Sequence, residues 1–278
     1  MNSRFASCLG AAVVAAVLTT ASAPALHALD LSQQLAIHTW TLRNFTFEQA
    51  MEFAQRHGIR DLQLTSKHID PNSSPEEWAK KKAALEAAGL RAYTFGVAAT
   101  SMNPAENRKL FECAKFMGMK LIVVEPADFR IWDNLEQLVK EYDIRVAVHN
   151  HGIKSLYGNP AVVKQIIGHR DPRLGVCMDV GWLTSSNLDA AKVYREFEGR
   201  VYDLHLKDKV VKKTEKGDDV ALDTEIGAGQ TNYIGLFAEL QKSGYAGHLA
   251  IETDSNDFAK SPDEFVDHAK KFMEANGR

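Results

Sequence analysis

Cysteine is scarce in this chain, with three residues in 278. Cys8 lies in an apolar leader, Cys113 falls on an expected helix and Cys177 within an expected strand, so the last two read as buried thiols and a disulfide scaffold is excluded. Excess positive charge is lacking too. Thirty-three lysines and arginines face 36 acidic residues, for a net charge of −3 and a pI of about 6.4, which excludes a surface built for nucleic acid. No apolar run reaches the ~20 residues that a membrane span needs. The stretch from Phe5 to about Ala21, behind Arg4, is broken by Ser7, Thr19 and Thr20 and has no charged stop after it. With the small-residue site Ala23-Pro24-Ala25 behind it, it reads as a secretory signal peptide over residues 1–25. The expected product is a periplasmic or secreted protein with no membrane attachment. No low-complexity linker or second domain divides residues 26–278.

What the sequence does have is a repeat. Short apolar runs occur at Leu35–Trp40, Asp61–Thr65, Arg91–Val97, Lys120–Pro126, Arg145–Gly152, Leu174–Trp182, Val201–Asp208 and His248–Asp254. Their starts differ by 26, 30, 29, 25, 29, 27 and 47 residues, the length of a strand, a helix and two short loops. Eight such units predict a single-domain α/β fold, a closed (β/α)8 TIM barrel over residues 26–278, close to the ~250 residues typical of that fold. Runs such as Leu121-Ile122-Val123-Val124 are apolar throughout, as parallel strands covered on both faces require.

Helix starts and stops punctuate the intervals. Ser74-Pro75-Glu76-Glu77, Asn103-Pro104-Ala105-Glu106 and Ser261-Pro262-Asp263-Glu264 each offer a capping side chain, a proline at the first helical position and an acid behind it. Asp133 and Asn159 are weaker versions. Gly58, Gly89, Gly118, Gly168, Gly199 and Gly244 mark expected left-handed ends. The long last interval holds a charged run, Lys209 to Asp219, expected to be a solvated loop, then a glycine-rich turn, Thr224 to Gln230, and a helix from about Asn232 to Ser243. That turn lacks the spacing and the lysine of a phosphate-cradling loop, and is expected to shape one wall of a site.

In a barrel of this kind the chemistry sits at the carboxyl ends of the strands. Here those ends carry Glu125, His149 with His151, Asp179, His205 and Glu252, a set of carboxylates and imidazoles suited to a divalent cation. Mn²⁺, Co²⁺, Zn²⁺ and Mg²⁺ all fit such ligands, and the fourth position is open between His149 and Glu125. His149 and His151, two apart, can both face the mouth, one to bind metal and one to bind substrate or move a proton. Lys207 is placed to stabilise negative charge on a substrate oxygen, and Glu252, His151 or Glu125 to shuttle the proton. His38, Trp40, His68 and Trp182 are candidate substrate contacts. A sugar-binding protein without catalysis would not need four metal-binding groups, and a metal-dependent abasic-site endonuclease would need more ligands and a basic groove.

The motifs Val146-Ala147-Val148-His149-Asn150-His151-Gly152, Leu174 to Gly181, Asp203-Leu204-His205-Leu206-Lys207-Asp208 and Ile251-Glu252 together resemble the sugar phosphate isomerase/epimerase family, with its xylose-isomerase-like barrel, across essentially the whole mature chain. The resemblance implies a divalent metal at the barrel mouth and proton transfer next to the carbonyl of a small carbohydrate, hence an isomerase or epimerase. Family ligands carry over onto Asp179, His205 and Glu252. His149 stands where many members have glutamate, a form closer to exported His-Asn-His-Gly members, and Trp182 stands where the family motif Asp-x-Gly-His has histidine. The Trp182 departure runs against ordinary epimerase chemistry, and export, which takes the protein to where glycosides rather than sugar phosphates are met, favours the alternative, a lyase or hydratase acting on 3-keto sugars or glycosides. Oligomeric state is left open.

Overall fold

The computed structural model describes residues 29–217 and 219–278, and within them each apolar run contains one strand. The residues read as a signal peptide lie outside that range. The strands are β1 (Leu35–His38), β2 (Asp61–Leu64), β3 (Arg91–Ala98), β4 (Leu121–Val124), β5 (Arg145–His149), β6 (Leu174–Asp179), β7 (Val201–Leu206), a hairpin β8 (Asp208–Lys213) and β9 (Asp219–Thr224), and β10 (His248–Ile251). Strands β1-β10-β7-β6-β5-β4-β3-β2 close into a parallel barrel in that order, so the fold is the expected (β/α)8 barrel. Helices α1 (Phe47–Arg56), α2 (Pro75–Ala87), α3 (Pro104–Met117), α4 (Ile131–Tyr142) and α5 (Pro160–Ile167) follow β1 to β5 in turn. Two short helices, α6 (Val180–Ser185) and α7 (Ala190–Glu196), follow β6; α8 (Tyr233–Ser243) precedes β10, and α9 (Asn256–Lys260) and α10 (Pro262–Asn276) end the fold. No helix among the described residues is long and apolar enough to cross a membrane.

Local chemistry explains most boundaries. Ser74, Asn103 and Asn159 each accept a backbone N–H of the first turn they cap. Other expected signals are corrected. Helix α4 starts at Ile131, because Asp128 already accepts the Arg130 N–H and turns the chain, and Asp133 instead pairs with Arg170 at 2.7 Å. Ser261 ends α9 at φ −138°, ψ 72° and makes no side-chain cap, while Gly168, at φ −59°, continues a right-handed turn.

The charged run is not a loop. Lys209 pairs with Asp223 across the β8–β9 hairpin, and only the tip between the strands is a turn. The glycine-rich stretch closes around the hairpin's base, where the N–H groups of Gly227, Gly229 and Thr231 all donate to the buried Asp208 carboxylate. Cys113 and Cys177 are buried free thiols, as expected.

Inside the barrel, strand alternation stacks side chains in layers. Ala36, Ala147, Cys177, Asp203 and Ala250 form part of one buried layer, and two residues further along the same strands come His38, His149, Asp179, His205 and Glu252, buried as well. Pairing registers Asp179 beside His205, and His205 beside Ala250. Small side chains below thus leave the polar layer room to converge.

Candidate active site

The ligand-capable atoms of His149, Asp179, His205 and Glu252 lie within 4.8 Å of one another. His149 Nε2 is 3.5 Å from Asp179 Oδ2, while His205 Nδ1 is 3.8 Å from that oxygen and 3.2 Å from Glu252 Oε2. Asp179 is held from two sides. Its Oδ1 accepts the Trp182 N–H as the cap of α6, and the Asn150 side chain exchanges hydrogen bonds with the Asp179 backbone N–H and C=O. Its second oxygen is thereby left aimed into the cluster.

Lys207 is fully buried among carboxylates. Its Nζ lies 3.0 Å from Asp179 Oδ2 and 2.8 Å from both Glu252 Oε2 and Asp254 Oδ2. The Gly181 backbone lets its stem pass, since a Cβ there would come 2.6 Å from Lys207 Cγ. Lys209 adds a second ammonium, paired with Asp223 and 4.2 Å from the Trp182 ring centroid. Asp223 in turn accepts from the Thr253 hydroxyl at 2.7 Å, which ties the hairpin to the end of β10.

The electrostatics follow from burial set against these neighbours. Burial alone would raise the Asp179 and Glu252 carboxyls, but Lys207 with the adjacent imidazoles holds both below their usual values. Burial would lower Lys207, and Asp179, Glu252 and Asp254 keep it well above its ordinary value. His205 is likewise held well above its ordinary value against burial, by Cys177, Asp179 and Glu252. Burial prevails at His149, which is lowered, and at His38, lowered to about 3.

Two observations test whether a divalent cation fits. Both ring nitrogens of His149 are buried without a hydrogen bond, a costly state for polar atoms, while Asp179 Oδ2 and Glu252 Oε2 are met by ion pairs with Lys207 and the neighbouring imidazoles. Charge gives the second. Asp179, Glu252, Asp254 and Asp223 face only Lys207 and Lys209, and the His205 imidazolium covers one of the two unmatched negative charges. A divalent ion that displaces the His205 proton would add one net positive charge to a cluster that carries an excess of negative charge. The donor set fits such an ion.

The rim carries the remaining candidates. His151 Nδ1 is 2.6 Å from Glu125 Oε2, and that bond raises His151 although burial opposes it. Glu125 groups with His149 and His151 rather than with Asp179, His205 and Glu252. Its loop is pinned by Tyr157, whose hydroxyl donates to Pro126 O at 2.6 Å and accepts from Trp132 Nε1. Trp182 forms the wall beside His151, with ring centroids 5.4 Å apart, and its indole N–H is buried without a partner. His38 joins the cluster by stacking on His205 at 4.6 Å, its Nε2 held by Gly96 O and its Nδ1 3.9 Å from Glu252. Trp40 and His68 each have a neighbour outside the four-residue cluster. Trp40 sits in the turn after β1 against Arg43, and His68 Nε2 meets Phe45 O at 3.1 Å.

Sequence reasoning passes over Gln63, Tyr93, Asp203, Asp223 and Asp254. Asp203 and Gln63 carry a signal, a polar residue in phase with the inward-facing positions of an otherwise apolar strand. Asp223 carries none, because its partner lies across a hairpin expected to be a loop.

The surroundings of such a site can be sought among known proteins. Inosose dehydratase of Lacticaseibacillus casei is 22% identical over 163 residues, 52% of this chain and 53% of that protein, so the chain spans about half the length of the curated relatives it matches. D-allulose 3-epimerase from Methylomonas sp. superposes with a TM-score of 0.68 at 15% identity, covering 87% of this chain and 97% of that one. An IOLI protein with a bound zinc atom superposes with a TM-score of 0.66 at 13% identity, covering 88% and 98%. With a match that spans residues 51–275, the chain belongs to the xylose isomerase-like TIM barrel family.

Proposed function

We propose that this protein is a metal-dependent enzyme that moves a proton next to the carbonyl of a small carbohydrate, and that His149, Asp179, His205 and Glu252 hold the metal. The carrying observation is the convergence of buried ligand atoms from those four side chains at the barrel mouth, with both His149 nitrogens left without a hydrogen bond. When bound, a divalent ion of the Mn²⁺, Co²⁺, Zn²⁺ or Mg²⁺ class would polarise a carbonyl and acidify the neighbouring C–H. The chain supplies the rest. Lys207 fixes Glu252 and Asp179 and keeps both ionised, which leaves Glu252 able to take a proton at an oxygen inside the site. His151, with its proton stabilised by Glu125, is the acid at the half-exposed rim. Trp182 offers a face and an unpartnered N–H to a sugar ring, and His38 stacks on His205 within the cluster.

Returning the proton to the other carbon or face gives isomerisation or epimerisation. Expelling a leaving group from the adjacent carbon gives elimination, the outcome for a dehydratase, lyase or hydratase on 3-keto sugars or glycosides. One feature favours elimination: the two proton carriers are unlike, a buried carboxylate and a protonated imidazole at the rim, which suits removal of a proton and protonation of a departing oxygen. The inosose dehydratase relatives support it from sequence. We read the protein as an exported His-Asn-His-Gly member of its family, acting outside the cytoplasm after residues 1–25 are removed.

The test is turnover in heavy water of keto-sugars and glycosides deuterated next to the carbonyl, read by mass spectrometry on metal-loaded protein. Exchange or loss of that deuterium is expected, with an unsaturated sugar and a released group if elimination holds, and an isomer of unchanged mass apart from label if it does not. Turnover that keeps the deuterium on its original carbon would end the proton-transfer reading.

A further inference from the structure

We propose that Asp254 is a specificity-determining, substrate-binding residue, which accepts a hydrogen bond from a substrate hydroxyl and so selects an uncharged, polyhydroxylated sugar over a sugar phosphate or sugar acid. The proposal rests on the reading of this mouth as a carbohydrate site and names the class of substrate it takes. Asp254 Oδ2 lies 2.8 Å from Lys207 Nζ, the same ammonium that meets Glu252 Oε2 at 2.8 Å and Asp179 Oδ2 at 3.0 Å. Asp254 is thereby placed beside two of the four converging side chains without being one of them. Its other oxygen, Oδ1, accepts no hydrogen bond from any described residue.

Exposure separates Asp254 from its neighbours. The side chains of Lys207, Asp179 and Glu252 are 1%, 0% and 4% exposed, and that of Asp254 is 36% exposed. It is the carboxylate of this set that a ligand can reach. Its backbone is anchored from two sides, which spares a ligand the cost of ordering it. Asp223 Oδ2, on the β8–β9 hairpin, accepts the Asp254 N–H at 2.6 Å and the Thr253 hydroxyl at 2.7 Å. Arg43, in the turn after β1, donates to the carbonyls of Thr253, Asp254 and Ser255 at 3.1, 3.0 and 2.9 Å. Charge then decides what Asp254 can take. A carboxylate only accepts, so its ligand must bring a donor. The cations nearby are committed: Lys207 to three carboxylates, Lys209 to Asp223, and Arg43 to backbone carbonyls and Asn256 Oδ1. An anionic group would meet Asp254 with none of these cations free to offset it, whereas a hydroxyl fits. The Trp182 ring, its centroid 5.5 Å from Lys207 Nζ, offers a flat face beside the same ammonium.

Methyl β-D-glucopyranoside has no carbonyl to react, so its binding can be followed by NMR, in protein supplied with Zn²⁺, without turnover. It is compared with its 2-, 3-, 4- and 6-deoxy analogues and its 6-phosphate. In the wild type, removal of one of these hydroxyls should weaken binding by about 10- to 100-fold, the worth of a hydrogen bond to a charged group. The 6-phosphate should bind more weakly than the parent. Asp254→Ala should weaken the parent by the same factor and bind that deoxy analogue and the parent alike, with Zn²⁺ content unchanged. Asp254→Asn, which keeps an acceptor and the shape, should keep part of the deoxy penalty and guards against a misfolded Asp254→Ala. A penalty as large in Asp254→Ala as in the wild type, equal binding of all the deoxy analogues, tighter binding of the 6-phosphate, or no binding of any glucoside overturns the assignment. None of these ligands undergoes proton transfer, so failure here leaves the heavy-water test of the reaction standing, and failure there leaves this measurement intact.

Discussion

The two ends of this barrel handle charge in opposite ways. At the amino end, Asp61 of β2 meets Arg91 of β3 at 2.6 Å and His248 of β10 at 3.4 Å, a closed set in which each group has its partner. At the carboxyl end, the same strand β10 leads into Glu252, and the cluster there brings ligand atoms of four side chains together and leaves both His149 nitrogens without a hydrogen bond. The first arrangement joins the seam where β2 and β3 lie near β10. The second is held open at a cost in stability, which makes sense only if something binds. Substitutions at the mouth should therefore cost function, and those at the amino end only stability.

The largest effect is expected at Asp179 and His205. Asp179→Asn and His205→Ala should each remove most bound divalent metal, at least ~100-fold in affinity, with far-UV circular dichroism preserved because the interlocked core lies below them. Elemental analysis of both variants at wild-type stoichiometry would break the contrast between the ends. His149→Ala and Glu125→Gln compared in the same measurement decide the fourth ligand: loss is expected for His149 and retention for Glu125, the partner of His151.

Lys207→Met comes next. It leaves Asp179, Glu252 and Asp254 facing one another without their shared ammonium, and breaking a buried ionic cluster in this way costs about 3–5 kcal/mol. Urea denaturation should show that loss in metal-free protein and partial recovery on adding Mn²⁺. A variant as stable as wild type would mean the carboxylates take up protons at no cost, and the cluster would not be the strained end of the barrel.

His151→Asn should be milder for binding and marked for turnover. Removing an acid–base group costs about 10²-fold or more in rate, while metal content should stay unchanged because His151 bonds to Glu125 rather than to the four converging side chains. Steady-state rates with and without the substitution, at matched metal loading, check it.

The barrel and the mouth are readable in the sequence for one reason: both obey a period. Strand-to-strand spacing locates every unit, and alternation along a strand puts Asp179, His205 and Glu252 on the inner face without any structure. What escapes obeys no period. Lys209 and Asp223 meet because a charged segment folds back as a hairpin, and its Lys209-Val210-Val211-Lys212-Lys213 stretch has the charge of a loop while its ordering force, burial of one ion pair beside Trp182, comes from elsewhere in the fold. Gln63 and His205 come from strands separated around the barrel by β1 and β10, so only closure brings them together. Trp40 and His68 lie close in sequence to strand ends, and their contacts with Arg43 and Phe45 O in the turns after β1 and β2 follow no period either.

The smallest effect belongs to the amino end and is the control for all the others. Burial would raise the Asp61 carboxyl, but its bonds to His248 and Arg91 hold it at about 2, below its usual 3.8. A carboxylate with a depressed folded-state value stabilises the protein above its unfolded value, and that contribution is lost as pH falls from near 4 through about 2. Because Arg91 is more than half exposed, solvent screening limits the trio to roughly 1 kcal/mol at neutral pH. Asp61→Asn should therefore lower the urea midpoint slightly at pH 7, and the gap from wild type should close as the pH approaches 2. Rate and metal content should match wild type throughout. A change in either would mean that the two ends of the barrel are coupled through the layer that contains Tyr93 and Asp203, and the division between a closed end that stabilises and an open end that reacts would have to be given up.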